Sequence, residues 1–300
     1  MSTFNWVGKS ADGKTITLHQ LNFETMFRAP DYFTPEWEAE YQDLVRLGAV
    51  IDVETTGLMH DQDKIIEIGV RQFKFNRSTG EILSLEKAYG SLQDPRQEIK
   101  PEITALTGIT NEMVKGKEIQ WAEVDRILTE AQFVIAHNAS FDRPFIDELS
   151  PASRERVWGC SFQQVDWTLK GLPSQKLEIL SIYHGFFNGA HRALNDADSL
   201  LYLLSQKDQA LGTPYFLELL TQARKSMVSV YATYSPFEAK DLLRARQYRW
   251  DSQGKVWSKK IPKEELQFEV RWLEMHVYQG TYKGRHEEIS ILDQFKAKLR

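Results

Sequence analysis

Leu47-Gly48-Ala49-Val50-Ile51-Asp52-Val53-Glu54 is a nearly continuous apolar run closed by two acids. Its length and apolar character read as a buried strand, and period-two alternation puts Asp52 and Glu54 on one face near its C-terminal end. Open α/β sheets usually bind ligands beyond those ends. Two like charges held close in a partly buried place repel, so one or both take up a proton unless a divalent cation neutralises them.

Outward from this strand the pattern stays α/β. Further strands are expected at Lys64–Phe75 and Glu81–Ala88, joined as a hairpin by Ser78-Thr79-Gly80, and a buried strand at Phe133–Ala136. Helices are expected at Pro101–Leu106, from about Ile119 to Glu130, from Ser140 to about Leu149, at Leu177–His184 and from Ala193 to about Leu204. In the last, Leu194, Ala197, Leu200, Leu201 and Leu204 form one stripe at helical spacing. Strands alternating with helices imply a sheet covered by helices, over a candidate catalytic domain of roughly residues 46–208.

The flanks read differently. Residues 1–45 form an N-terminal extension, with a short strand at Thr15–His19 after the Asp12-Gly13 turn and a helix from Thr34-Pro35-Glu36 to about Val45. Gly8-Lys9-Ser10-Ala11-Asp12-Gly13-Lys14-Thr15 has the letters of a phosphate-binding loop, but no buried strand precedes it and no helix follows, so it reads as a hairpin turn. After the polar break Lys207–Pro214, residues 215–300 read as a small α+β module. Its elements are helices at Tyr215–Lys225 and Phe237–Arg244, two strands within Tyr248–Ile261 around Asp251-Ser252-Gln253-Gly254, and a helix from about Lys263 to His276.

Three hundred residues suit about two domains of ~150 residues. The 42% hydrophobic and 26% charged content excludes collagen-like and wholly disordered classes. The single cysteine, Cys160, excludes an internal disulfide and cysteine-held zinc. There is no membrane-length apolar run and the N-terminus lacks a secretory pattern, so a cytoplasmic location without membrane contact is expected. Net charge is −5, yet residues 221–300 carry 16 Lys/Arg against 10 Asp/Glu. An acidic body with a basic tail allows an enzyme that gathers carboxylates around cations and grips a polyanion elsewhere.

Asp142 follows the Phe133–Ala136 strand at a helix N-terminus, and Asp196 lies in the first turns of the Ala193 helix with His191 just before it. Singly, each acid has a bland explanation as a surface strand end or a helix-dipole partner. Together, four hard oxygen donors and one imidazole suit magnesium or manganese better than zinc or copper.

Three blocks, Ile51-Asp52-Val53-Glu54-Thr55-Thr56-Gly57-Leu58, Ala136-His137-Asn138-Ala139-Ser140-Phe141-Asp142 and His191-Arg192-Ala193-Leu194-Asn195-Asp196-Ala197, resemble in order and spacing the DnaQ-like DEDD-class exonucleases in their histidine-bearing form. Leu106-Thr107-Gly108-Ile109-Thr110 is similar to a segment of the proofreading-subunit branch. The resemblance covers about Gly48 to Leu204. It implies a ribonuclease H-like mixed five-stranded sheet covered by helices, whose fifth strand must fall within Trp158–Trp167.

It further implies 3′–5′ exonuclease hydrolysis of phosphodiester bonds, releasing nucleoside 5′-monophosphates. Asp52, Glu54, Asp142 and Asp196 would hold two divalent metal ions, Mg2+ or Mn2+, with Asp52 bridging, and His191 would be the general base. Thr55, Thr56 and Leu58 would pass near the terminal nucleotide. Asn138 would position that nucleotide or tie down its own loop, and Phe141 would stack on a base or anchor the Asp142 helix. His137 has no assigned role, and His184 reads as a helix-end or surface histidine.

The expected partner is a nucleic acid with a 3′ end, single-stranded by preference and DNA rather than RNA, while the extensions leave room for a protein partner. The alternatives are an RNA-processing exoribonuclease and a catalytically weak nucleic-acid-binding or protein-interaction module. In the tail, Lys240, Arg244, Arg246, Arg249, Lys255, Lys259, Lys260 and Lys263 interleave with Tyr248, Trp250 and Trp257. That pattern fits either a phosphate-gripping hairpin with a stacking aromatic or a module whose aromatics are core, the latter reading being favoured for Trp250. No sustained heptads demand a dimer, and a monomer is expected.

Overall fold

The computed structural model describes residues 4–189, 191–252 and 254–297. The chain divides into two compact units, one running to Ala223 and taking in the segment from Phe295, the other Arg224–Gln294.

The first unit is built on an RNase H-like mixed sheet of β1 (Val45–Thr55), β2 (Ile65–Asn76), β3 (Ile82–Leu92), β4 (Phe133–Ala136) and β5 (Trp158–Cys160), in the order β3-β2-β1-β4-β5. The first three pair antiparallel, whereas β1, β4 and β5 are parallel. Around them lie α1 (Pro101–Thr107), α2 (Trp121–Glu130), α3 (Ala139–Leu149), α4 (Leu177–Tyr183), α5 (Ala193–Ser205) and α6 (Tyr215–Ala223).

Alternation along β1 divides the core. Ala49, Ile51 and Val53 pack in one cluster with Val124, Ile127 and Leu128 of α2 and Phe145 and Ile146 of α3. Val50 belongs to the opposite cluster, with Leu200, Leu201 and Leu204 of α5 and Phe216 and Leu219 of α6. Asp52 and Glu54 share the Val50 face and so continue, as acids, the surface that α5 covers.

Several boundaries differ from the sequence expectations. The helix after Thr34 covers Pro35–Glu40 and stops short of Val45, because β1 begins there, with Val45 paired to Asn76. The third strand runs four residues past Ala88, since β3 follows β2 as far as Leu92 opposite Glu67. At the N-terminus the Thr15–His19 strand reduces to a bridge between Lys9 and Ile16 and a two-residue parallel pairing of His19–Gln20 with Phe186–Phe187. The phosphate-loop letters form a hairpin, as expected: Thr17 N–H donates to Gly8 O and Ser10 N–H to Thr15 O, each at 2.9 Å, with Gly13 at φ +71°.

The second unit is a four-stranded antiparallel sheet of β6 (Met227–Ala232), β7 (Arg249–Asp251), β8 (Val256–Pro262) and β9 (Arg285–Ile289), ordered β9-β6-β8-β7. The expected strand pair is β7 and β8; Gln253 of their turn lies outside the described residues. Val228, Val230, Ile261, Leu273 and Val277 make its core. Trp250 is 51% exposed and does not belong to that core, because the edge strand β7 is only three residues long. Among the described residues no helix is long and apolar enough to cross a membrane.

Candidate active site

β1 pairs with β4 only over Gly48–Val50, so its C-terminal half runs past its parallel neighbour. There the Val53 N–H donates to Asp142 Oδ1 at 3.2 Å. Asp142, 3% exposed in the first turn of α3, is thereby brought from the opposite face of the sheet to the end of β1. Asp196 arrives from the other side, in the first turn of α5, and its Oδ2 accepts the His191 N–H at 2.8 Å.

His191 has φ +65°, a left-handed conformation that a side chain with Cβ rarely adopts. The backbone is thus turned back on the helix it precedes, which brings the imidazole into the site. Ligand atoms of Glu54, His191 and Asp196 lie within 4.8 Å of one another, a set able to hold a divalent metal ion. Asp52 and Asp142 are not members of that triplet.

Electrostatics joins all four acids. Burial raises the Asp52 carboxyl well above the usual carboxylate range, helped by the charges of Asp142, Asp196 and Glu54. Glu54 is pushed up to about 8, chiefly by burial and then by Asp196. Burial raises Asp142 to about 7 and Asp196 to about 6, the latter against the His191 N–H bond.

Ionised Glu54 is thus disfavoured, relative to water, by more than the ~0–1 kcal/mol that a surface ion pair could offset. The neighbouring guanidinium of Arg192 is committed elsewhere, to Glu67 Oε1 at 2.8 Å. A divalent cation is the counter-charge that fits this donor set.

Glu67 and Gly69 were not singled out from the sequence. Glu67 sits opposite Glu54 in the β1–β2 register, is 5% exposed, and accepts from Ala193 N–H at 3.0 Å and Arg192 Nε at 2.9 Å. It caps the N-terminus of α5 and fixes where Asp196 lies. Gly69 faces Asp52 across the ladder, and a Cβ there would fall 2.1 Å from Leu194 N and 2.3 Å from Ala193 C. α5 therefore touches the β2 backbone beside the acids. Gly69→Ala should push the helix off, costing about 1–3 kcal/mol of stability and most of the activity; thermal melting and a hydrolysis assay check both, and a variant with wild-type melting and rate would contradict this close approach.

Thr55 Oγ1 donates to Gly57 O at 2.6 Å. Thr56, 3% exposed, uses its N–H on Lys64 O, while its hydroxyl accepts from Gln97 Nε2 at 2.8 Å. Both threonines thus shape the loop, and Leu58 is its open residue at 80% exposure. Asn138 is exposed and makes no side-chain cap to α3. Phe141 packs half-buried on Phe145, with ring centroids 5.2 Å apart.

Neither His137 nor His184 joins the site. His137 bonds Ser161 Oγ at 2.6 Å and Gln175 O at 2.8 Å, and burial lowers it to about 4. His184 ends α4 as expected, but it is buried against Leu180 O and the Tyr215 hydroxyl rather than on the surface.

The raised carboxyls set a sign. A group whose pKa is higher in the fold than in the unfolded chain stabilises the fold at low pH and loses that contribution as pH rises through its folded value. Without a cation, stability should therefore fall from about pH 4, the unfolded range of these acids, until pH has passed their folded values of about 6 for Asp196, 7 for Asp142 and 8 for Glu54. Saturating Mg2+ should raise Tm by about 5–10 °C at 100-fold excess over Kd. That increment should grow from pH 6 to pH 8 as protons stop competing for the ligands; melting curves showing a pH-independent increment would contradict the acid cluster.

Residues 49–204 match the exonuclease family RNase_T. A DNA polymerase III PolC-type protein of Clostridium perfringens (strain 13 / Type A) is 31% identical over 166 residues, which is 52% of this chain and 11% of that protein. The corresponding protein of Halalkalibacterium halodurans is 38% identical over 104 residues, 33% of this chain and 6% of that one. The chain thus spans only a small share of the length of these relatives.

Among solved structures, Exonuclease X in complex with 5′ overhanging duplex DNA aligns over 55% of this chain and 97% of that chain, with 24% identity and a TM-score of 0.38. The zinc-bound E. coli ExoI–ssDNA complex aligns over 61% and 47%, with 16% identity and a TM-score of 0.46.

Proposed function

The chain belongs to the RNase_T exonuclease family through residues 49–204, and from that premise we propose that it hydrolyses polynucleotides stepwise from the 3′ end, DNA in preference to RNA, releasing nucleoside 5′-monophosphates. The observation that carries this reading is the convergence of four carboxyls with raised pKa values and one imidazole at the end of β1. The PolC-type relatives are named as DNA polymerases, which favours DNA.

In this reading Asp52, Glu54, Asp142 and Asp196 hold two divalent ions, Mg2+ or Mn2+. Bound there, such ions supply charge neutralisation at the phosphate and acidify the attacking water. Asp52, between acids from both sides of the sheet, would be shared between them, with Glu54 and Asp196 as its partners on one side and Asp142 on the other. His191 accepts a proton from the water that attacks phosphorus while the bond to the 3′ oxygen of the preceding nucleotide breaks. The shortened strand keeps a 3′ hydroxyl, and the released nucleotide keeps the phosphate. Thr55 and Thr56 hold the loop from which Leu58 packs against the terminal base, and Asn138 and Phe141 border the nucleotide at the start of α3.

The Arg224–Gln294 unit adds a second contact to this reading, with the half-exposed Trp250 and exposed Arg249 adjacent on β7. Trp250→Ala should weaken single-strand affinity by about 1–3 kcal/mol while the rate at saturation is kept; fluorescence anisotropy with a labelled strand measures the first, and unchanged affinity would return Trp250 to a purely structural role.

Matched 5′-labelled DNA and RNA strands, single and duplex, with and without Mg2+, test the whole reading. Stepwise shortening from the 3′ end, fastest on single-stranded DNA and abolished by chelation, is expected. Faster loss of RNA would move the assignment to RNA processing, and intact strands bound without cleavage would leave a binding module.

A further inference from the structure

Among the described residues the N-terminal extension, with its phosphate-loop letters, supplies no group to the site, yet it lies along the segment that leads into His191. Val7 N–H donates to Tyr183 O at 3.1 Å, His19 N–H to Gly185 O at 2.9 Å and Leu21 N–H to Phe187 O at 2.7 Å. His19–Gln20 pair in parallel with Phe186–Phe187. Trp6 packs on Tyr183 with centroids 3.7 Å apart, and Phe4 lies 4.8 Å from His184. Contact is so close that a Cβ on Gly185 would fall 2.9 Å from Val7 Cγ1.

The hairpin between Gly8 and Thr17 explains why both ends of the extension reach the same segment. It folds the chain back so that Val7 binds before Gly185 and His19 binds at it. From the inner side, Asn188 Nδ2 donates to Asn195 O at 2.9 Å and Ser199 Oγ at 3.1 Å, while Asn195 Nδ2 donates to Gly189 O at 3.1 Å. Residues 183–189 are therefore held between the extension and α5 immediately before His191 takes its left-handed turn.

We propose that the extension is a positioning element for His191, acting through the Phe186–Phe187 ladder to hold the imidazole where it accepts the proton. This rests on the reading of His191 as proton acceptor. Among the described residues the extension touches no acid of the site, so its loss slows the chemical step and leaves substrate affinity unchanged.

The test uses the full chain and two proline variants. His19→Pro deletes the N–H that reaches Gly185, at a residue whose side chain is exposed. Gln20→Pro places the same ring one residue on, where strand alternation turns the N–H away from Phe186–Phe187. Single-turnover hydrolysis of a 5′-labelled DNA strand in Mg2+ should be slowed about 10–100-fold by His19→Pro, with KM unchanged, and not by Gln20→Pro. Asn188→Ala, which opens the inner latch instead, should give the same signature.

Amide exchange at 186–189 should accelerate in His19→Pro. In a His191→Ala background, His19→Pro should add no further slowing, since both act on one proton transfer. An unchanged rate despite lost protection at 186–189, or full additivity with His191→Ala, overturns the proposal. If the wild-type chain cleaves nothing or His191→Ala does not slow it, the underlying reading falls and this one with it. If His191→Ala slows the reaction and neither His19→Pro nor Asn188→Ala does, only the positioning role is lost.

Discussion

Asp52→Asn should reduce Mg2+-dependent hydrolysis by at least about 10²–10³-fold while the protein melts at or above the wild-type temperature in the absence of cation. Both halves follow from one fact. The Asp52 carboxyl is raised by burial and by four neighbouring acids, so its charge is unfavourable until a cation arrives. An amide of the same shape removes that repulsion and, with it, a ligand oxygen that carries charge. Asp196→Asn should behave likewise, although its amide can no longer accept the His191 N–H as strongly. Hydrolysis in Mg2+ and thermal melting with and without cation, measured on the purified variants, decide the matter; full activity in either would refute the metal site.

His191→Ala is expected to lower the single-turnover rate by about 10²–10⁴-fold with the strand still bound. The imidazole also lies within ligand range of Glu54 and Asp196. Cation titration of the same variant separates its two uses: retained Mg2+ affinity with a lost rate marks a proton acceptor, whereas lost affinity marks a ligand. A rate unchanged across pH would remove His191 from the chemistry.

The parts of this molecule that could be read from its sequence are those governed by local pattern. β1 and β4 are short apolar runs ended by chemistry, and their acids stand at fixed intervals from the strand ends. The α5 stripe repeats at helical spacing. Pairings between distant segments left no such trace. Glu67 is the one acid in a strand that also carries Arg71, Gln72 and Lys74, and its partners Arg192 and Ala193 lie more than 120 residues away. The Phe186–Phe187 ladder is two residues long and pairs with the opposite end of the chain.

In the second unit, β9 went unread because Arg285-His286-Glu287-Glu288-Ile289 is almost wholly charged, as suits an edge strand that must not pair further. β6 has the alternation of a strand, but its Val228, Val230 and Ala232 carry meaning only beside the helix that covers them. At the site, the three motif blocks identified the acids and the imidazole, but not the φ of +65° that turns His191 inward or the glycine that lets α5 approach.

Anomalous diffraction from crystals grown with Mn2+ and a nucleoside 5′-monophosphate would locate the ions at this site. Two manganese peaks are expected at the end of β1, both bound by Asp52, with Glu54 and Asp196 on one and Asp142 on the other. No manganese among these four carboxylates, with the nucleotide bound elsewhere, would contradict the two-ion reading.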